Sequence, residues 1–294
     1  MKNVRFHLIG VVAALAVVLI VVSFATRNSR GQTPNRKSES HSKDANASFA
    51  EATARNVSLK NDLGWTFGGK QQKGWYLYSL LIGKTIDTQK DAASNDFAGA
   101  IAVWQKNAGL KASGVFDEES LMAMISQWQG KRLKDRSPAP TDQLITVASS
   151  EFYDPDRLPE LRSVERNTYE AYRRMLAAAI ADPKLKLAHD KHGDLQSTEK
   201  YFKIISAFRS REYQDKLRRE SPNAGSAGLA VNSPHFTGKA LDIYVGGDPV
   251  DTRDSNRDIQ VNTPVYKWLV QHADRFGFRP YFYEPWHWEY VGKE

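Results

Sequence analysis

Two short stretches near the C-terminus constrain this 294-residue chain more than any other feature. Residues 233–242 contain His235 and end in an aspartate, and residues 284–289 begin with a glutamate and contain His287. Around Asp242 and around His287 the side chains alternate between two faces, which is typical of a strand with one face on a core, whereas Pro234 and Gly238 indicate that His235 lies in a turn that folds back before the first strand. We therefore expect two strands that project imidazoles and carboxylates into a common cleft.

The alternation assigns individual residues to faces. Within residues 240–245, Leu241 and Ile243 lie on one face and Asp242 on the other. Pro285 disfavours a helix in the second stretch, and the tryptophans on either side of His287 are expected to pack inward while the imidazole faces the cleft. The two stretches thus bring two histidines and an aspartate to one side of a sheet.

These residue types suit a catalytic zinc ion. Such an ion takes three protein ligands from His, Asp or Glu and keeps a fourth position for water. His235, Asp242 and His287 supply that set, and Glu284 is a spare carboxylate that can approach the water as general base. The sequence therefore predicts a zinc hydrolase. Glu289 shares the face of His287, and we interpret it as an ion-pair partner outside the site.

The two stretches resemble the VanY and VanX type of D-alanyl-D-alanine carboxypeptidases and dipeptidases. That family carries Ser-x-His-x-x-Gly-x-Ala-x-Asp followed by Glu-x-x-His, and both patterns are complete here. A third element, Arg-Ser after an aromatic residue and before a glutamine, matches residues 206–214, with Ala207 and Phe208 where glycine and tyrosine are common. The resemblance covers about residues 143 to 294.

This resemblance implies a mechanism residue by residue. Zinc held by the two histidines and Asp242 activates water, and Glu284 carries the proton from that water to the leaving amine. Arg209 stabilises the developing oxyanion; from its charged surroundings alone it reads as a solvated helix residue. Ser233 holds the substrate or caps a turn, and Gln214 supports Arg209 or lies on a helix surface.

The expected fold class is α+β, a small zinc peptidase domain with a central antiparallel sheet. Residues 246–263 are polar and either flank the cleft or form a loop. The predicted elements are helices at 164–182, 209–220 and 264–276, and strands at 202–207, 240–245 and 286–291.

The N-terminus predicts a membrane location. Residues 8–25 form an apolar run preceded by Lys2 and Arg5, so residues 1–27 are expected to be a membrane anchor, with a cleaved signal as the alternative. The basic residues that follow favour a cytoplasmic C-terminal part. We nevertheless expect the catalytic domain outside the cytoplasm, in the cell envelope, since large domains translocate despite flanking charge and the implied substrate lies there.

The positive charge is concentrated at the N-terminus. Residues 1–60 contain nine Lys or Arg against three acidic residues, and the formal net charge of the whole chain is +7. The rest of the chain is therefore nearly neutral, and we predict no nucleic-acid partner. The chain has no cysteine, so neither a disulfide nor a lipoprotein attachment contributes.

The region between anchor and peptidase predicts a tether and a small domain. Residues 28–60 are polar and are expected to be a disordered tether, and residues 134–142 a linker. Between them, residues 61–133 resemble the three-helix peptidoglycan-binding module in Gln105, Gly109-Leu110, Gly114, Asp117 and Ser120. The resemblance implies binding of wall polymer; the alternative is a helical spacer whose aromatics are simply core.

Together the two resemblances predict a peptidase of peptidoglycan stem peptides, with domain 143–294 hydrolysing D-alanyl-D-alanine or a related bond. An LD-carboxypeptidase or endopeptidase of the same fold, or a catalytically idle wall-binding protein, are the alternatives. A tethered wall module suits a polymer better than a free dipeptide.

Overall fold

The computed structural model describes residues 49–221 and 229–292, which lie within one compact unit. The predicted membrane segment, residues 8–25, and residues 28–48 of the predicted tether lie outside these ranges. Within the described ranges, no helix combines the length and apolar character that crossing a bilayer requires.

The N-terminal half of the described chain is helical with one hairpin. Its elements are α1 (Ala50–Asp62), β1 (Gly64–Phe67), β2 (Lys70–Lys73), α2 (Ser79–Thr85), α3 (Asn95–Asn107) and α4 (Glu118–Gly130). Strands β1 and β2 pair antiparallel. Ser94 caps α3 and Asp117 caps α4, each accepting a hydrogen bond from a backbone N–H of the first turn.

The prediction of a disordered tether up to residue 60 is wrong for its last part, because α1 begins at Ala50. The Asn56 amide donates to the Gly114 carbonyl over 2.9 Å and accepts from the Phe116 N–H over 2.7 Å. These buried bonds fix a polar segment as a helix, and composition alone does not reveal such tertiary partners.

The C-terminal half carries the predicted central antiparallel sheet. A separate strand pair, β3 (Leu144–Thr146) and β4 (Ser163–Glu165), precedes it. The strands of the sheet are β5 (Ile204–Ser206), β6 (Ala240–Ile243), β7 (Phe278–Pro280) and β8 (His287–Tyr290), in the order β5-β6-β8-β7 with every neighbouring pair antiparallel. The helices are α5 (Arg166–Ile180), α6 (Arg211–Glu220), α7 (Asp254–Asn262) and α8 (Pro264–His272).

Helix α7 lies inside the polar insertion 246–263, so the loop interpretation is wrong for its second half. Asn256, Arg257 and Gln260 are almost fully buried. The Asn256 amide bonds the backbone of Asp248 and Asp251. These polar side chains therefore hydrogen-bond to backbone groups of the preceding loop rather than to water.

One hydrophobic core extends across both halves. The ring of Phe67, on β1, lies 4.8 Å from that of Phe282. The ring of Trp128, on α4, lies 5.9 Å from the same Phe282 ring. The segment 134–142 therefore joins two parts of one core, and Ala139 in it donates to the Phe236 carbonyl.

Candidate metal centre and active site

Asp242 and His287 are direct partners across strands β6 and β8. Opposed residues of an antiparallel pair project to the same face of the sheet. Leu241 pairs with Trp288 on the opposite face, and both are buried in the core. The alternation seen in the sequence thus places the aspartate and the imidazole side by side.

His235 reaches the same place from a short 3-10 helix, Pro234–Thr237. Ser233 caps this turn by accepting a hydrogen bond from the His235 N–H over 3.3 Å. Gly238 ends it with φ of 65°, and a Cβ there would lie 2.9 Å from the Glu165 nitrogen. Glycine therefore lets the turn press against β4 and lead directly into β6.

The three predicted ligands converge. His235 Nε2 lies 3.3 Å from Asp242 Oδ1, and His287 Nδ1 lies 2.9 Å from the same oxygen. One donor atom from each residue lies within 4.8 Å of the others, and all three side chains are buried. This group could hold a metal ion.

Hydrogen bonds behind the ligands fix which nitrogen of each imidazole faces the site. His235 Nδ1 lies 2.6 Å from the Ala207 carbonyl, which can only accept, so Nδ1 carries the proton. His287 Nε2 lies 3.2 Å from Glu289 Oε1, and a carboxylate likewise accepts. The remaining nitrogens, Nε2 of His235 and Nδ1 of His287, are left to bind a metal, as metal-site histidines require.

The pKa values of the two histidines diverge. Burial, together with the positive charge of Arg209, lowers the pKa of His235 to about 4. Burial also acts to lower the pKa of His287, but hydrogen bonds to Asp242 and Glu289 outweigh it and raise the value to about 9. Burial acts to raise the pKa of Asp242, yet His235 and Arg209 hold it well below its usual range.

Arg209 contacts the ligand carboxylate directly. Its Nη2 donates to Asp242 Oδ2 over 2.6 Å, and its Nε donates to Ser206 Oγ over 2.9 Å. Gln214 accepts from Arg209 Nη1 over 3.4 Å and donates to the Ala230 carbonyl. The structure therefore places Gln214 against Arg209 and gives Arg209 an orienting contact with Asp242 of the candidate metal site.

Glu284 is buried beside the three ligands. Burial raises the pKa of its carboxyl to about 8, with Asp242 adding to the increase and His287 and Arg209 opposing it. Its backbone carbonyl accepts from the His287 N–H over 2.9 Å, which ties the turn before β8 to the strand. A carboxyl with a pKa in this range is suited to exchange protons near neutral pH.

A cleft of about 650 Å³ opens onto this group. Arg209, Ser233 and Glu284 line it together with the three ligands. Residues of the N-terminal half form another part of its wall, including Phe67, Gln129, Arg132 and Arg136. The sequence did not predict that the helical part contributes to the cleft.

Sequence reasoning left out two residues that bear on the metal site. Glu289 is fully buried and accepts a hydrogen bond from His287. Its position on the same strand face as His287 could have predicted this contact. Arg132 donates to Glu289 from a position 157 residues away in the chain. No local pattern could have linked that pair.

Comparison with known proteins identifies the C-terminal domain. Residues 162–293 match the family model of VanY, D-alanyl-D-alanine carboxypeptidase. No curated protein matches the chain significantly.

Two solved structures resemble parts of the chain at low identity. The LdcB LD-carboxypeptidase, whose structure is described as revealing the molecular basis of peptidoglycan recognition, is 23% identical with a TM-score of 0.36, over 54% of this chain and 72% of that one. A vancomycin resistance D,D-pentapeptidase VanY, solved as a point mutant in complex with Zn(II), is 21% identical with a TM-score of 0.34, over 56% of this chain and 89% of that one.

The family match covers both C-terminal motifs, Ser233 to Asp242 and Glu284 to His287, and the Arg209 segment. The resemblance that those motifs predicted is therefore confirmed over residues 162–293, which match the VanY family model.

Proposed function

We propose that this protein is a zinc-dependent carboxypeptidase that removes the terminal D-alanine from peptidoglycan stem peptides. The convergence of His235, Asp242 and His287 within a cleft that also contains Glu284 carries this proposal. The VanY family match over residues 162–293 supports the choice of substrate.

The donor set fits zinc. Two imidazoles and one carboxylate are common ligands of catalytic zinc, and they leave a coordination position open. The hydrogen bonds from His235 to Ala207 and from His287 to Glu289 hold both rings in the tautomer that ligation needs. When bound, a zinc ion supplies Lewis-acid polarisation of a carbonyl and a water of lowered pKa.

The residues around the three ligands have separate roles in proton transfer, charge stabilisation and substrate binding. Glu284 accepts the proton of the attacking water and returns it to the leaving amine, a role that its raised pKa supports. Arg209, held by Ser206 and Gln214, presents its guanidinium to the cleft and stabilises negative charge that develops on the scissile carbonyl. Ser233 lines the cleft and contacts the substrate there.

Wall binding by residues 61–133 belongs to the same proposal and rests on the sequence resemblance. Its motif residues have structural tasks: the buried Gln105 amide donates to the Val115 carbonyl and to Ser120 Oγ, each over 2.9 Å. A pull-down of the full chain with insoluble peptidoglycan tests this wall binding. If the chain does not bind, residues 61–133 have only a structural role.

The proposed location is the cell envelope, with residues 8–25 in the membrane and the catalytic domain outside. The apolar run supports this. Protease treatment of intact cells tests it, since only an external catalytic domain is degraded; survival of the domain until the cells are lysed would contradict it.

Product analysis tests the reaction. The purified full chain with zinc is incubated with a stem pentapeptide and, separately, with the tetrapeptide, beside Glu284→Ala. Loss of one D-alanine from the pentapeptide alone, absent from the variant, is expected. Cleavage of only the tetrapeptide would make the protein an LD-carboxypeptidase, and cleavage of neither, with zinc bound, an idle binding protein.

A further inference from the structure

Arg132 connects the N-terminal half to the metal site. It lies just after α4 and outside the VanY-matched residues 162–293. Its Nε donates to Glu289 Oε1 over 3.1 Å, its Nη2 donates to the same oxygen, and the Leu133 N–H donates to Glu289 Oε2 over 2.9 Å. Both oxygens of this buried carboxylate are thus occupied by one short segment.

The same carboxylate orients a metal ligand. Glu289 Oε1 accepts from His287 Nε2 over 3.2 Å, and His287 Nδ1 faces Asp242 Oδ1 over 2.9 Å. A continuous chain of polar contacts therefore runs from Arg132 through Glu289 to His287. A carboxylate that accepts from the far nitrogen of a metal-binding histidine fixes the orientation and the tautomer of its ring.

Arg132 is itself held rigidly. Its Nη1 donates to Gln129 Oε1 over 2.7 Å, and its guanidinium carbon lies 3.9 Å from the centre of the Tyr281 ring. Its side chain is about one-tenth exposed, and that of Glu289 is fully buried. A carboxylate enclosed in this way requires a fixed cation, because an uncompensated buried charge is unfavourable.

We infer that Arg132 is a positioning residue for the metal site, through which the N-terminal half completes the peptidase domain. The N-terminal half then has a catalytic task that is separate from any binding of wall polymer. This inference rests on the proposed zinc site, since it concerns the orientation of one of its ligands.

The test compares zinc affinity of full-chain variants by competition with a chelating dye. Arg132→Met is expected to weaken zinc binding by about 10- to 100-fold, the usual effect of losing a group that orients a metal ligand. Arg132→Lys, which keeps the charge, is expected to recover part of that loss. At saturating zinc, Arg132→Met should lower kcat with little change in KM, because all three guanidinium nitrogens are engaged by Glu289 and Gln129 rather than by a substrate.

Arg257→Met is the matched control. Arg257 is more deeply buried than Arg132 and also lies between the two halves, where it donates to the Tyr78 hydroxyl and to Gln72 Oε1. Among the bonds that the structure gives it, none goes to a metal ligand or to Glu289. Its loss should lower the Tm while zinc affinity stays at the wild-type value.

A double-mutant comparison separates positioning from general stability. If Arg132 acts through Glu289, Arg132→Met should weaken zinc binding far less in a Glu289→Gln background than in wild type. Equal zinc affinity of wild type and Arg132→Met, or additive losses in the double variant, would overturn the inference. A wild-type chain that binds no zinc would instead overturn the proposed function.

Discussion

Asp242 and His287 stand opposite one another in β6 and β8, so two ligands of the proposed metal site are fixed by one pair of hydrogen-bonded strands. Both residues lie within strands rather than in loops. On the opposite face of the sheet, Leu241 and Trp288 are buried in the core. Sites built on strands are held more precisely than sites built on loops. The sheet therefore sets the spacing of these two side chains.

Removal of the Glu284 carboxylate is expected to abolish turnover and to leave zinc binding intact. General acid–base groups contribute about 10²- to 10⁴-fold to a rate, and Glu284 lies in the cleft outside the three-ligand group. Steady-state rates with the pentapeptide, beside zinc content by mass spectrometry, check this for Glu284→Gln. A variant that retains the wild-type rate would remove Glu284 from the proposed mechanism.

Zinc affinity should rise with pH. The pKa of His287 is raised to about 9, so below that value the metal must displace its proton, whereas His235, with a pKa lowered to about 4, is already neutral near pH 7. The affinity should therefore increase by about tenfold per pH unit as pH approaches 9, and level off above it. Dye competition across this range measures the slope, and a flat profile would contradict the assignment of His287 as a protonated ligand.

Arg136 is expected to contribute to substrate binding. It lines the cleft and is partly buried, and its Nη1 donates to the Asn232 carbonyl over 2.9 Å. The structure assigns it no carboxylate partner among the described residues, which leaves its charge available to the terminal carboxylate of a peptide. Arg136→Met should raise KM by about tenfold with kcat little changed, given the strength of charge-assisted hydrogen bonds.

The control for this prediction is Arg253→Met, which removes an exposed arginine that pairs with Asp248 and Asp251. Arg253 is not among the residues that line the cleft. Its KM should equal that of wild type. An unchanged KM for Arg136→Met as well would place the substrate carboxylate elsewhere in the cleft.

Gly238→Ala should destabilise the protein. Gly238 has a φ of 65°, and its Cβ would lie 2.9 Å from both the Glu165 nitrogen and Leu144 Cδ2. Strain and clash together should cost about 1–3 kcal/mol of unfolding free energy. Urea denaturation measures it, with Gly64→Ala as control, because no atom lies within 4 Å of a Cβ at Gly64. Equal losses of unfolding free energy at both positions would show that the turn before β6 accommodates a Cβ without strain.

The sequence predicted those parts of the site that local pattern encodes. Alternation placed Asp242 and His287 on one face, and the three predicted strands of the central sheet were confirmed, with their ends shifted by at most two residues; the edge strand β7 was not predicted. The pairing of Arg132 with Glu289 depends on the packing of two distant segments, which no local period reveals. Helix α1 was missed for the same reason, since buried contacts of Asn56 stabilise a segment whose composition is polar.

The position of a bound zinc ion decides whether His235, Asp242 and His287 form the metal site. Crystals of the full chain, grown with zinc, give the ion's location from anomalous scattering at the zinc edge. One peak is expected between His235 Nε2, Asp242 and His287 Nδ1, with Glu284 nearby and outside the coordination shell. A peak elsewhere, or ligation of His287 through Nε2 with Glu289 displaced, would contradict both the proposed site and the role of its supporting hydrogen bonds.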